Sequence, residues 1–457
     1  MPHSTSDFTS TTQKLLTQDK AWLEQTAIPV VTVSAHQLED LKGWHGMPED
    51  ETKHDVVFSR AHYSMVAGFL VEAWGGTQLN PAKAWAVDPT NYVSQKEWSK
   101  IQLTETVGKT LARFPILKML KDFIDKFGRS KLPILGSITP PLLYLFQDVR
   151  KPILSFHVAA GNILLGQGKK VIQVITDPHV REEYLQHAGN PNLTLCVFDD
   201  KTKMDALEKA TILGKVMDPE KIIVTGPPID PRIKAARQHK QPWRSGTLKL
   251  CMTTGGLGTN KPELQKIFAQ LAPELRKHDS QLQLMVYTGT QPDIQAMFQR
   301  LAKQEHLKPY IITDSETTHT TAHHRHQIDK HKLILLHHPQ LVDANELLLR
   351  YAFPWADGFI TKPSGDMAYD AAASGSFVLT LQEWGEWEHH VRAFFEQHGV
   401  ARVADTHHIV EQLSALRQAN GQAQSWIEQA MLATYKLPKP FFDGNQTIKE
   451  VVQHYSL

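Results

Sequence analysis

Short runs of β-branched and apolar residues alternate along the chain with longer stretches whose apolar positions recur at helical spacing. That is the pattern of parallel sheets covered by helices on both faces. The strand-like runs at 56–59, 84–88, 153–157, 172–176, 195–198 and 222–225 make a first Rossmann-like half. A polar stretch from Arg237 to Gly246, broken by Pro242, reads as a linker. The alternation then resumes at 248–253, 283–288, 333–337, 358–361 and 377–380. Helical spacing returns at 423–435, stops before Pro438 and Pro440, and fits again at 447–455. The expectation is an α/β protein of two Rossmann-like domains, 1–240 and 241–420, with a helical segment 421–457 after them. No internal repeat is evident.

Composition narrows the picture. A chain of 457 residues exceeds what one core usually serves, which agrees with two domains. Lysine plus arginine (49) balance aspartate plus glutamate (48), which argues against a partner held by bulk charge such as nucleic acid. Cys196 and Cys251 each sit in an apolar run, so neither a disulfide framework nor a cysteine zinc site is expected, and a reducing cytoplasm fits. No stretch holds eighteen consecutive apolar residues, so the expected protein is soluble or peripheral to a membrane. Histidines cluster at 319, 323, 324, 326, 331, 337 and 338 without a fixed ligand spacing, which reads as a solvated loop rather than a metal site. In 109–135, Leu111, Phe114, Leu117, Leu120 and Phe123 interleave with Lys118, Lys121 and Lys126. Such a face suits an anionic membrane surface, or else a helical excursion that covers the core and exposes its basic side.

Open parallel sheets bind ligands outside the carboxyl ends of their strands. The run 356–361 ends in a turn of Lys362, Pro363, Ser364 and Gly365, followed by a helix carrying Asp370. Small residues there let backbone approach a phosphate, and a carboxylate one turn on can meet ribose hydroxyls. After 248–253 comes a second such turn with Gly255, Gly256, Gly258 and Thr259. The P-loop Lys-Ser/Thr is missing and the spacing is not that of a dinucleotide fingerprint. Past 377–380, Trp384, Glu386, Trp387 and Glu388 can bind a sugar, or form a solvated acidic turn over packed tryptophans. In the first half, strand ends deliver His62, His157, Asp177 and His179, which suit a base for a hydroxyl nucleophile.

These residues resemble a known family. Asn345–Leu349, Ala356 with Asp357, Lys362 to Gly365, and Asp370 followed by Glu388 resemble the donor half of GT-B glycosyltransferases related to monogalactosyldiacylglycerol synthase and to the peptidoglycan N-acetylglucosaminyltransferase. Upstream, 198–207, 222–232, Ser155 to His157 and Ile175 to Asp177 extend the likeness over roughly 55–400. The resemblance implies a GT-B fold, two Rossmann-like domains facing a central cleft, with an acceptor-type first half, a donor-type second half and the 421–457 segment returning toward the first. It implies an inverting enzyme that moves a sugar from a UDP-linked nucleotide sugar to a hydroxyl acceptor such as a lipid, with neither cofactor nor bound metal. Gly255, Gly256, Gly258, Thr259, Lys362, Ser364 and Gly365 would lie by the diphosphate, Asp370 by the ribose and Glu388 by the sugar or ribose. His62 would be the base, with His157 and Asp177 next. The sequence departs from the family at Ser59–His62, which lacks the usual glycines, and at Ser364, Asp370 and Val391. A non-hydrolysing sugar-nucleotide epimerase and a catalytically silent binding protein of the same fold are the alternatives.

Overall fold

In a computed structural model of the chain, the described residues are 10–34, 60–93, 98–99, 133–255, 258–314, 318–419 and 424–456. Contacts divide it into two compact units, Met1–Asp230 with Pro440–Leu457, and Pro231–Lys439. The polar stretch 237–246 belongs to the second unit. It is anchored there by the buried Lys240, whose ammonium donates to Phe353 O, Ala356 O and Ser376 Oγ.

The first unit holds six strands, β1 Ile28–Val31, β2 Ala84–Val87, β3 Ile153–Ser155, β4 Val171–Val174, β5 Leu193–Val197 and β6 Ile222–Val224. Their order is β2-β1-β3-β4-β5-β6, with every pairing parallel. All residues of β1, β3, β4 and β5 are buried, as both-face coverage requires. Helices α1 Ser10–Gln25, α2 Ala61–Trp74 and α3 Val158–Gly166 belong to this unit. β1 was not anticipated, while the expected strand at 56–59 lies outside the described residues. Pro29 sits inside β1 at tolerable cost: Ile28 N and Thr32 N bond toward β2, so the missing N–H of Pro29 faces β3, whose pairing begins only at Val30. The C-terminal helix Lys439–Ser456 docks on the segment after β6. A Cβ at Gly444 would meet Pro227 O at 2.0 Å, and Asn445 Nδ2 donates to Ile229 O at 2.7 Å.

The second unit holds β7 Leu248–Thr253, β8 Leu282–Gly289, β9 Tyr310–Ile312, β10 Leu333–His337, β11 Gly358–Thr361, β12 Phe377–Thr380 and β13 Ala401–Val403. The order is β13-β12-β11-β7-β8-β10-β9, again all parallel. Helices α4 Lys261–Arg276, α5 Thr318–Ile328, α6 Met367–Ala373 and α7 Glu386–Gln397 flank it. The histidine-rich stretch, expected as a loop, is in part the helix α5. Tyr310 of the edge strand β9 holds it: its hydroxyl bonds His324 Nδ1 at 2.7 Å and its ring stacks on His331. Among the described residues, no group of three or more His, Cys, Asp or Glu side chains could hold a metal ion, and no helix is long and apolar enough to cross a membrane. Residues 109–132 lie outside the description.

Candidate active site

β7 has β8 on one side and β11 on the other, so the sheet order turns at the β7–β11 pair. At such a switch point the carboxyl ends of two neighbouring strands open on a crevice. The strand ends are tied by Thr253 Oγ1, which donates to Thr361 Oγ1 at 2.7 Å. The loops leaving them touch: the Lys362 side chain lies across Gly255, where a Cβ would come within 2.9 Å of Lys362 Cε. Gly255 O accepts from Gln291 Nε2 at 2.9 Å and from Gly258 N at 2.8 Å, and Gly258 leaves that turn with a left-handed φ of 66° that favours glycine. Gly256 lies outside the described residues. Gln291, not singled out from the sequence, is buried at the end of β8, where its signal is only that of a polar residue before Pro292.

Lys362 Nζ pairs with Glu388 Oε1 at 2.5 Å, and Glu388 Oε2 accepts from Trp384 N at 2.6 Å. The Glu388 side chain is 0% exposed and that of Lys362 is 19% exposed. Both Glu388 oxygens thus serve protein partners in the place where a sugar or ribose contact was expected. A Cβ at Gly385 would meet the Trp387 ring at 2.2 Å, so Gly385 gives the tryptophan its room. Ser364 Oγ donates to Asp366 Oδ1 at 2.7 Å and accepts from Met367 N at 3.2 Å, while Gly365 is buried. Thr259 Oγ1 donates to Asn260 Oδ1 at 3.1 Å. Asn260 Nδ2 reaches Gln382 O at 3.1 Å and also Glu263, which accepts from Gln382 N at 3.1 Å. Asp370, fourth in α6, is 6% exposed. Asp357 accepts from Lys249 N at 2.9 Å and burial pushes its carboxyl up to about 6, so this part of the motif bolts β11 to β7.

The first unit has its own switch point at β1 and β3. His62 in α2 and His157, the N-cap of α3, meet there with ring centroids 4.9 Å apart. His62 Nδ1 lies 3.1 Å from Phe156 O, so the ring donates from Nδ1 and leaves Nε2 as the acceptor nitrogen when neutral. Burial holds His157 well below the usual histidine range, reinforced by His62 and Arg181. Asp177 stands at the end of the neighbouring strand β4, where its carbonyl accepts from His179 N at 2.7 Å. His179 Nδ1 is 4.0 Å from Asp205. The fold brings His62 and His157 together and places Asp177 one strand away.

No protein-family model and no curated protein sequence matches the chain. Among solved structures, the apo form of OtsA is similar at 12% identity and TM-score 0.50, covering 94% of this chain and 99% of that one. An α,α-trehalose-phosphate synthase (UDP-forming) from Burkholderia xenovorans, in complex with glucose-6-phosphate, is similar at 10% identity and TM-score 0.50, covering 94% and 100%. A UDP-GlcNAc 2-epimerase from Neisseria meningitidis bound to UDP-GlcNAc gives 14% identity and TM-score 0.47 over 87% and 97%. Identities this low speak to fold alone: the chain has a GT-B-like α/β fold with two parallel Rossmann-like sheets of six and seven strands.

Proposed function

We propose that the chain is a glycosyltransferase that binds a nucleotide sugar, UDP-linked, at the β7–β11 crevice and transfers the sugar to a hydroxyl acceptor with inversion. The observation that carries this reading is the meeting of the Gly255 and Lys362 loops at adjacent strand ends, where small residues and a lysine converge. The fold is shared with a synthase described as UDP-forming, which supports the nucleotide class. Asp370 is the ribose contact in this proposal. His62 is its base, with the Nδ1 proton directed at Phe156 O, which makes Nε2 the accepting nitrogen of the neutral ring. His157, whose ring meets that of His62, and Asp177 are the next candidates for that role. In the step proposed, Nε2 takes the acceptor proton and the acceptor oxygen bonds to the anomeric carbon. The bond from that carbon to the diphosphate breaks, and its electron pair leaves with the nucleotide.

The test is thermal stability of the full chain against UDP-, GDP- and dTDP-sugars, followed by turnover. A ligand of the native state at one hundred times its Kd adds about 2.7 kcal/mol. Stabilisation by the UDP-sugars is expected, and none by any nucleotide sugar overturns the reading. Turnover that proceeds with no acceptor present points to the epimerase reaction instead. A His62→Ala variant working at the wild-type rate removes that residue from the mechanism.

A further inference from the structure

We infer that Lys362 is the cation that receives the diphosphate of the nucleotide, and that Glu388 is a positioning residue that holds it in place. This rests on the donor reading above and changes the role given to Glu388. A side chain with no exposed surface and both oxygens engaged, one by Lys362 Nζ and one by Trp384 N, has no face to offer a sugar. It has the geometry of a bracket, fixed at the first turn of α7. Lys362 is reachable from the crevice and its stem crosses Gly255, where any larger residue would push it aside. The helix starts beside it carry carboxylates of their own, Glu263 in the first turn of α4 and Asp366 before the seven-residue α6, whereas Lys362 brings a full positive charge to set against Glu388. An ammonium held against a glycine turn is the strongest positive feature those loops present, and its chemistry fits a diphosphate.

The experiment measures binding of inorganic pyrophosphate, UDP and UDP-glucose to the full-length protein by calorimetry, at several salt concentrations. Lys362→Met alone strands a buried carboxylate and can unfold the protein, so the decisive variant is Lys362→Met with Glu388→Gln, which removes both charges. The expected result is a loss of roughly tenfold or more, equal for all three ligands, with a shallower salt dependence than wild type. Lys362→Arg is expected to retain most of the affinity. Glu388→Gln alone should change the affinity for all three by one common factor. If Glu388→Gln weakens UDP and UDP-glucose but spares pyrophosphate, it touches ribose. If it weakens UDP-glucose alone, it touches the sugar. Either result, or no change at all, overturns the positioning role. Binding by wild type that the double variant preserves overturns the Lys362 assignment alone. Wild type that binds none of the three brings down the donor reading and this inference together.

Discussion

Replacing Lys240 by Met tests how the second unit is held together under its candidate site. Lys240 is 8% exposed, and its ammonium donates at 2.7 Å to Phe353 O, at 2.7 Å to Ala356 O and at 2.8 Å to Ser376 Oγ, with Ser374 Oγ at 3.3 Å. Burial pulls its pKa from 10.5 to about 7, with Asp357 opposing. An unfolded lysine keeps its proton to about pH 10.4. Between about 7 and that value the unfolded chain therefore binds more protons than the folded one, so stability rises with pH; below about 7 both forms are protonated and the cost of burying the charge is constant. The drop to about 7 sets a ceiling of about 5 kcal/mol on the gain. The four oxygen acceptors favour the ammonium and cut into it, which leaves about 2 kcal/mol as the expectation. Met removes the titration and leaves Phe353 O without this donor, while Ala356 O keeps Ser376 Oγ at 2.8 Å. That costs about 1–3 kcal/mol at any pH. The assay is urea unfolding of both full-length proteins at pH 6.5 and 9.5. The thiols of Cys196 and Cys251, pushed up by burial, remain in both proteins and largely cancel in the difference. Wild type should gain about 2 kcal/mol on the variant across that interval. Parallel behaviour of the two proteins would refute the reasoning, because it would mean the oxygen cage keeps Lys240 charged throughout.

Two other substitutions probe the same framework and the site. Gly444→Ala drives a Cβ into Pro227 O, 2.0 Å away, and should cost about 2 kcal/mol or more through displacement of the C-terminal helix; an unchanged melting temperature would mean that helix does not dock there. Asp370→Asn should weaken UDP about tenfold and leave pyrophosphate untouched if the carboxylate meets ribose, so an equal effect on both ligands in calorimetry would refute that role.

Four strands of the second unit were legible residue for residue, β7, β10, β11 and β12. Each is a run of buried apolar residues bounded by turn chemistry, and central parallel strands leave that signature because both faces are covered. The edges β9 and β13 were not, since three residues with an exposed Ile311 or Val403 carry too little pattern to separate from loop. β1 was hidden by Pro29, which argues against a central strand. The glycine and serine turns of the candidate site were readable as local chemistry. Their adjacency could be expected only by pairing the two turns and by resemblance, because it depends on β11 crossing back to pair with β7 across more than a hundred residues. The direction of Glu388 was out of reach for the same reason, since its inward turn is set by Lys362, 26 residues earlier. Ala356 and Asp357 stood out by resemblance alone, and their physical work is to receive Lys240 Nζ and Lys249 N.

The two switch points carry unlike chemistry, and the difference bears on the proposed division of labour. At β1–β3 the groups are imidazoles, and burial together with the nearby Arg181 works against a proton on His157. A site meant to bind phosphate would gain from the opposite bias, since an anion stabilises imidazolium and a pocket selected for anions would favour the protonated ring. A neutral His157 beside a His62 whose Nδ1 is turned to Phe156 O suits the acceptance of a proton from an uncharged hydroxyl. At β7–β11 the group is an ammonium paired to a carboxylate with no exposed surface, which cannot serve as a base but can meet the negative charge that builds on a departing diphosphate. Exchanging the roles would require a charged histidine where burial opposes charge. The electrostatics of each unit therefore support acceptor activation at the histidines and leaving-group stabilisation at Lys362.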